Sequence, residues 1–186
     1  MLKTLYPIFQ KWSEKGNVWL ISDTHFNDSD CLLMDIEWPQ PEEFASNIAK
    51  LVHKNDTLIH LGDVGDPAYL KQTWKKGKKP YLVLVAGNHD AISRMDIFDE
   101  IYTGPLVISK KIILSHEPIE LNWGLNIHGH DHADIAYKDI YHLNLASNVI
   151  KYQPIRLKDI INSGRLNKID SIHRLTINKQ IARKYC

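Results

Sequence analysis

Apolar residues along this chain gather in short runs, and the period within each run separates strands from helices. "NVWLIS" (17–22) is nearly unbroken from Val18 to Ile21 and stops at Asp23. A run that short predicts a buried strand. "DTLIHLGD" (56–63) and "PYLVLVAG" (80–87) repeat the pattern. The latter is apolar enough to predict cover on both faces. Between them, "PEEFASNIAKLVHKN" (41–55) places Phe44, Ile48, Leu51 and Val52 at helical spacing, with acids in its first turn, which predicts an amphipathic helix. "AYLKQTWKKG" (68–77) predicts a short helix closed by Gly77.

The second half changes rhythm. "LVISKKIILSHEP" (106–118), "LNIHGHDH" (125–132) and "DIYHLNLASNVI" (139–150) predict strands with short links, and "RLKDIINSGRLN" (156–167) a closing helix. The last nineteen residues fit a helix, a strand or a tail equally well. Strand–helix alternation followed by strands predicts an α/β fold with two stacked sheets and helices outside. No repeat, low-complexity tract or Ser/Gly linker divides the chain, so residues 1–186 are expected to form one domain.

Composition narrows the class mainly by exclusion. The 186 residues are 44% hydrophobic and carry a formal net charge of +1, which gives no global case for nucleic acid or an acidic membrane. Two cysteines, Cys31 and Cys186, make no disulfide framework. With no apolar stretch of signal-peptide or membrane-spanning character, a cytoplasmic location is expected. The unusual figure is ten histidines. Three of them, His128, His130 and His132, occupy alternate positions in "NIHGHDHAD" (126–134). Such a stretch is either a histidine-rich strand or loop, or part of a metal site.

The strand ends favour the metal. The first leads into Asp23 and His25, the second into Asp63 and Asp66, the third into Asn88, His89 and Asp90, the fourth into His116, and the fifth into the histidine stretch. Ligands of open α/β sheets lie beyond the carboxyl ends of the strands, so these side chains can converge. Imidazole, carboxylate and amide oxygen suit Mn²⁺, Fe, Ni²⁺ or Zn²⁺, and a carboxylate can bridge two such ions.

The order D-x-H, G-D-x-x-D, G-N-H-D, H, G-H-x-H resembles the signature of the calcineurin-like metallophosphoesterases. "SDTHFN" and "NVIKYQPIRLKDII" (148–161) further resemble its short bacterial and phage-type members. The resemblance implies the four-layer αββα version of the sandwich, and two divalent ions, Mn²⁺ ahead of the others. One would be held by Asp23, His25, Asp63 and His132, the other by Asp63, Asn88, His116 and His130. It also implies hydrolysis of phosphoric esters by a water activated between the metals, with His89 as proton donor and Asp66 orienting it. His128 falls outside the ligand set, and His60 is placed behind it.

Three departures bear on substrate. Pro67 stands where the protein phosphatases of the superfamily carry Arg, Asp90 where they close the motif with Glu, and Asp28 where the short members often have His. The missing arginine puts phosphodiesters ahead of phosphomonoesters. A monoesterase acting on proteins or nucleotides is the alternative, and a non-catalytic metal-binding scaffold a more distant one. Arg94 is a candidate for a phosphate oxygen or for a surface salt bridge. "KKGKK" (75–79) is expected to be a solvated helix end. His53, His142 and His173 are expected to be structural. Spacing excludes the metallo-β-lactamase motif, which needs one residue more than "HGHDH" supplies.

Overall fold

The computed structural model describes residues 6–74 and 77–185; Lys75 and Lys76 of the basic stretch lie outside them. Four parallel strands, β1 (Val18–Ile21), β2 (Thr57–His60), β3 (Tyr81–Val85) and β4 (Glu100–Tyr102), form one sheet. A short antiparallel strand, β9 (Ile155–Arg156), adds to its edge in the order β4-β3-β2-β1-β9. The second sheet runs β5-β6-β7-β8, from Leu106–Ser109, Ile112–Leu114, Leu125–His128 and His142–Asn144. Its first pair is antiparallel and the rest parallel. The sheets stack with helices outside them, as expected.

The unbroken apolar runs are explained by where alternate side chains go. Leu20, Ile59, Val83 and Val85 point between the sheets, onto Ile108, Leu114, Leu125, Ile127 and Leu143. Ile21, Leu58, Leu82 and Leu84 point the other way, onto Phe44, Ala45 and Ile48 of α1 (Pro41–Leu51) and Leu70 of α2 (Ala68–Thr73). Both faces are thus covered, and a polar residue in these strands would have no water to reach.

The far face of the second sheet is buried but polar. Asn126, His128, His142 and Asn144 alternate there and are held by loops. Asn126 Oδ1 accepts from the Ile119 N–H at 2.8 Å, and Asn144 Nδ2 donates to the Asp131 carbonyl at 2.6 Å. His142 faces Asp139 Oδ2 at 2.8 Å and the Ile119 carbonyl at 3.0 Å, the structural role expected of it.

The stretch read as one strand over 106–118 is a hairpin, turning at Lys110–Lys111 with an irregular register between Val107 and Ser109. Two lysines at the turn supply the polar break. The link from β7 to β8 is a thirteen-residue loop rather than a short one. The C-terminal stretch is a helix, α3 (Ile172–Tyr185), with most of its described side chains exposed.

The two sheets are tied at Ser22, directly after β1. Its N–H donates to the Leu145 carbonyl at 3.1 Å and its hydroxyl to the Leu61 carbonyl at 3.0 Å. The Ser147 hydroxyl donates back to the Ser22 carbonyl at 2.6 Å. This seam delivers Asp23 to the junction of the two sheets.

Candidate metal centre

All nine residues given a ligand or catalytic role in the sequence analysis lie at the carboxyl side of the two sheets, in the loops that leave them. Four have left-handed backbone: Asp23 (φ 55°), His25 (42°), Asp63 (56°) and His130 (69°). Non-glycine residues rarely adopt it, and a cluster of such strain marks sites where geometry outweighs local stability. At His130 it breaks the strand after His128, so His130 and His132 need not share one face as they would in a regular strand.

Two groups form. Ligand atoms of Asp23, His25 and His132 lie within 4.8 Å of one another, as do those of Asp63, His116 and His130. Asp63 joins them: its Oδ2 is 3.7 Å from His25 Nε2 and 3.4 Å from His116 Nε2. Its other oxygen accepts from the His89 N–H at 2.9 Å. Asn88 Oδ1 stands 2.9 Å from His116 Nε2, which is also 3.1 Å from His130 Nδ1.

Hydrogen-bond partners fix the protons. His116 Nδ1 meets the Leu61 carbonyl at 2.9 Å, which only accepts, so Nδ1 carries the hydrogen. In the neutral ring Nε2 is then a lone pair, facing the Asn88 oxygen and the Asp63 carboxylate. His132 Nδ1 meets Asn148 Oδ1 at 3.0 Å, which leaves Nε2 aimed at Asp23 Oδ1, 3.5 Å away. Asp23 Oδ1 and His25 Nε2 are buried without a hydrogen-bond partner among the described residues. Each such orphan costs about 1–3 kcal/mol. Carboxylate oxygens and imidazole nitrogens converging in this way are a donor set that fits a pair of cations.

The titration behaviour reflects this crowding. Burial pushes the Asp23 carboxyl up and the His25 imidazole down. Burial also works against the charged form of Asp63. It is outweighed by His116, the His89 N–H and His25, which hold the carboxyl at about 2. His116 is raised: burial opposes its charge, but Asp63 and Asp23 prevail.

Close backbone approach explains the glycines. A Cβ on Gly129 would sit 1.9 Å from Ser22 Oγ and 2.1 Å from Asp23 Oδ2, and one on Gly87 2.2 Å from Asp63 Oδ1. Asp90 accepts from the Asp63 and Gly87 N–H groups with Oδ2 and from the Val64 N–H with Oδ1, each at 2.9 Å. It clamps the G-D loop to the G-N-H-D loop.

His89 is exposed, its ring 5.7 Å from that of His25, and lines an open cleft of about 940 Å³ with Asn27, Asp28, Asp66 and Arg94. Asp66 Oδ1 accepts from the Ala68 N–H at 3.0 Å. No hydrogen bond among the described residues joins it to His89. The Arg94 guanidinium has no carboxylate partner among them either. His128 is buried, with Nδ1 donating to the Gly129 carbonyl at 2.8 Å, and His60 Nε2 meets Thr24 Oγ1 at 2.9 Å, between the loops of Asp23 and Asp63.

Sequence reasoning missed Trp38, Asn148 and Cys31. Trp38 packs its ring 6.2 Å from His25 and 5.8 Å from His132, yet nothing in "IEWPQP" announces that. Cys31 forms a third group with His25 and Asp28. Burial holds its thiol at about 12, so it stays protonated.

Over residues 16–183 the chain matches the family described as calcineurin-like phosphoesterase. It is 29% identical over 175 residues to an uncharacterized protein of Methanocaldococcus jannaschii, covering 82% of this chain and 93% of that protein. Among solved structures it is similar to a protein of unknown function from Aquifex aeolicus, with TM-score 0.62 and 27% identity over 78% of this chain and 98% of the other. The two relatives bring no activity with them, but the family match runs through every strand end described above: this chain belongs to the calcineurin-like phosphoesterases.

Proposed function

We propose that the chain works as one domain hydrolysing phosphoric esters with two divalent cations, phosphodiesters ahead of monoesters and Mn²⁺ ahead of Fe, Ni²⁺ or Zn²⁺. The observation that carries the reading is the shared carboxylate oxygen, Asp63 Oδ2, set between the Asp23–His25–His132 and the Asn88–His116–His130 groups. Cations in these groups would supply positive charge for the non-bridging oxygens and an acidified water for attack on phosphorus.

The chain's own residues do the rest. Asp63 is held ionised, so it can serve both groups across the working pH range. His89 stands on the cleft side, where a leaving oxygen would emerge, and donates the proton that oxygen needs. General acid catalysis of this kind contributes on the order of 10²–10⁴-fold. Asp66 has one oxygen on Ala68. The other is without a hydrogen bond among the described residues and accepts from His89 when substrate tightens the cleft, as apo geometries at catalytic histidines often require. Arg94, which lines the same cleft, binds an anionic part of the substrate.

The diester preference draws on shape. A smaller recess of about 190 Å³, lined by Phe26, Leu32, Trp38, Pro39 and Phe44, shares the His25–Ser29 segment with the open cleft. Two recesses flanking one site suit an ester with two arms. Hydrolysis of a bis-aryl and a mono-aryl phosphate in Mn²⁺ tests this. Faster turnover of the bis-aryl compound is expected, and a decisive preference for the monoester would contradict the ordering.

A further inference from the structure

We infer that Asn148 is a positioning residue: it dictates which nitrogen of His132 faces the Asp23–His25 group, and thereby sets the affinity of that group alone for a divalent cation. The inference rests on the two-cation reading above and deepens it by making the two sites unequal in how they are built.

The amide has only one workable orientation. Asn148 Nδ2 donates to the His132 carbonyl at 2.8 Å, and a carbonyl cannot donate in return. Oδ1 is therefore the atom 3.0 Å from His132 Nδ1, and Nδ1 must carry the hydrogen. The lone pair is left on Nε2, the nitrogen that faces Asp23 Oδ1. One side chain thus grips both the backbone and the ring of the same histidine. Without it the ring has no acceptor holding the hydrogen on Nδ1. The Nε2–H tautomer, useless as a ligand, then competes.

Asn148 is itself fixed. It lies in a turn where the Val149 N–H donates to the Ala146 carbonyl at 2.9 Å and the Tyr152 N–H to the Ser147 carbonyl at 2.7 Å. Ser147 is bonded to Ser22, the residue before Asp23. The turn therefore registers the His132 ring against the very strand end that supplies the opposing carboxylate. Trp38 closes another side of the ring.

The other site solves the same problem without a side chain. His116 Nδ1 is held by the Leu61 backbone carbonyl, which substitution at position 148 leaves in place. An acceptor behind a metal-ligating histidine commonly contributes 10–100-fold in metal affinity. Here that contribution should fall on one site only, with the other as an internal control.

The test uses the full chain stripped of metal, titrated with Mn²⁺ by calorimetry, together with ¹⁵N NMR of the histidine rings. In the wild type, metal-free His132 is expected to carry its hydrogen on Nδ1, and two cations are expected to bind. Asn148→Ala should weaken one class of site by about 10–100-fold, leave the other unchanged and shift His132 toward the Nε2–H form. Asn148→Asp keeps an acceptor for the ring while its other oxygen opposes the His132 carbonyl, so His132 should keep its hydrogen on Nδ1 whatever happens to affinity. A wild-type His132 found as Nε2–H overturns the inference. So does an alanine variant with both affinities unchanged, or an aspartate variant whose His132 shifts to the Nε2–H form as in alanine. A wild type that binds no Mn²⁺ would sink the two-cation reading instead, and the NMR tautomer would still judge Asn148.

Discussion

Single side chains in this protein are chosen for which atom they present, and three of them make separable predictions. His89 is the one imidazole of the strand-end motifs given a role in proton transfer rather than in the cation groups. Replacing it with alanine is expected to leave metal content intact and to lower kcat by about 10²–10⁴-fold on esters with poor leaving groups. Full activity on an alkyl ester would show that another group supplies the proton. Arg94 is predicted to act in binding, so Arg94→Ala should raise KM with little change in kcat, read from steady-state kinetics on a charged diester. Asp90 carries three charge-assisted hydrogen bonds to backbone. In Asp90→Asn the amide turns its NH₂ toward at least one of those donors. A loss of about 2–3 kcal/mol in unfolding free energy is expected by denaturant titration of the metal-free protein.

At the scale of elements, the site is made by loops that rigid strands hold apart or bring together. β1, β2 and β3 are parallel and in register, so their carboxyl ends come level and the motifs after them meet. That much was legible, because buried strands read as plain apolar runs and each ended in a recognisable polar triplet. The hairpin at Lys110–Lys111 was harder to see, since two apolar runs divided by only two lysines look like one. The helix at the C-terminus was illegible for a different reason: its exposed face-to-face composition gives no amphipathic period to detect. The roles of Asn148, the first residue of the stretch that resembles the short members, and of Trp38 were hidden because their value lies in contacts across 16 and 94 residues. Close approach of loops yields its own prediction. Gly129→Ala places a methyl against Ser22 and Asp23 at the seam of the two sheets. It should cost several kcal/mol and abolish cation binding at the Asp23 group, as read by thermal melting with and without Mn²⁺.

For the whole molecule, stability and the site are linked through buried imidazoles. Burial holds His60 at about 3, and it also lowers His25 and His128. A histidine kept neutral in the fold but free to protonate when unfolded contributes stability that is present above pH 6.5 and lost as pH falls toward its folded value. His60 alone accounts for roughly 1.4 kcal/mol per pH unit over that window. Asp23, raised by burial, works in the opposite sense, and His116, also raised, has lost nothing below pH 6.5. Asp63 holds its contribution until pH falls below about 4 toward 2. His60, reinforced by His25 and His128, is expected to outweigh Asp23, so unfolding free energy of the metal-free chain should fall from pH 6.5 to 4. A rise over that interval would contradict the balance. Bound cations should add to stability with the logarithm of their free concentration over Kd, and chelation should remove both that increment and turnover.

The central claim is a pair of cations sharing one carboxylate oxygen. Anomalous diffraction from crystals soaked in Mn²⁺ measures it directly. Two peaks are expected about 3.5–4 Å apart, one among Asp23, His25 and His132, the other among Asn88, His116 and His130, with Asp63 Oδ2 between them. A single peak, or none, or two peaks with Asp63 contacting only one, would contradict it.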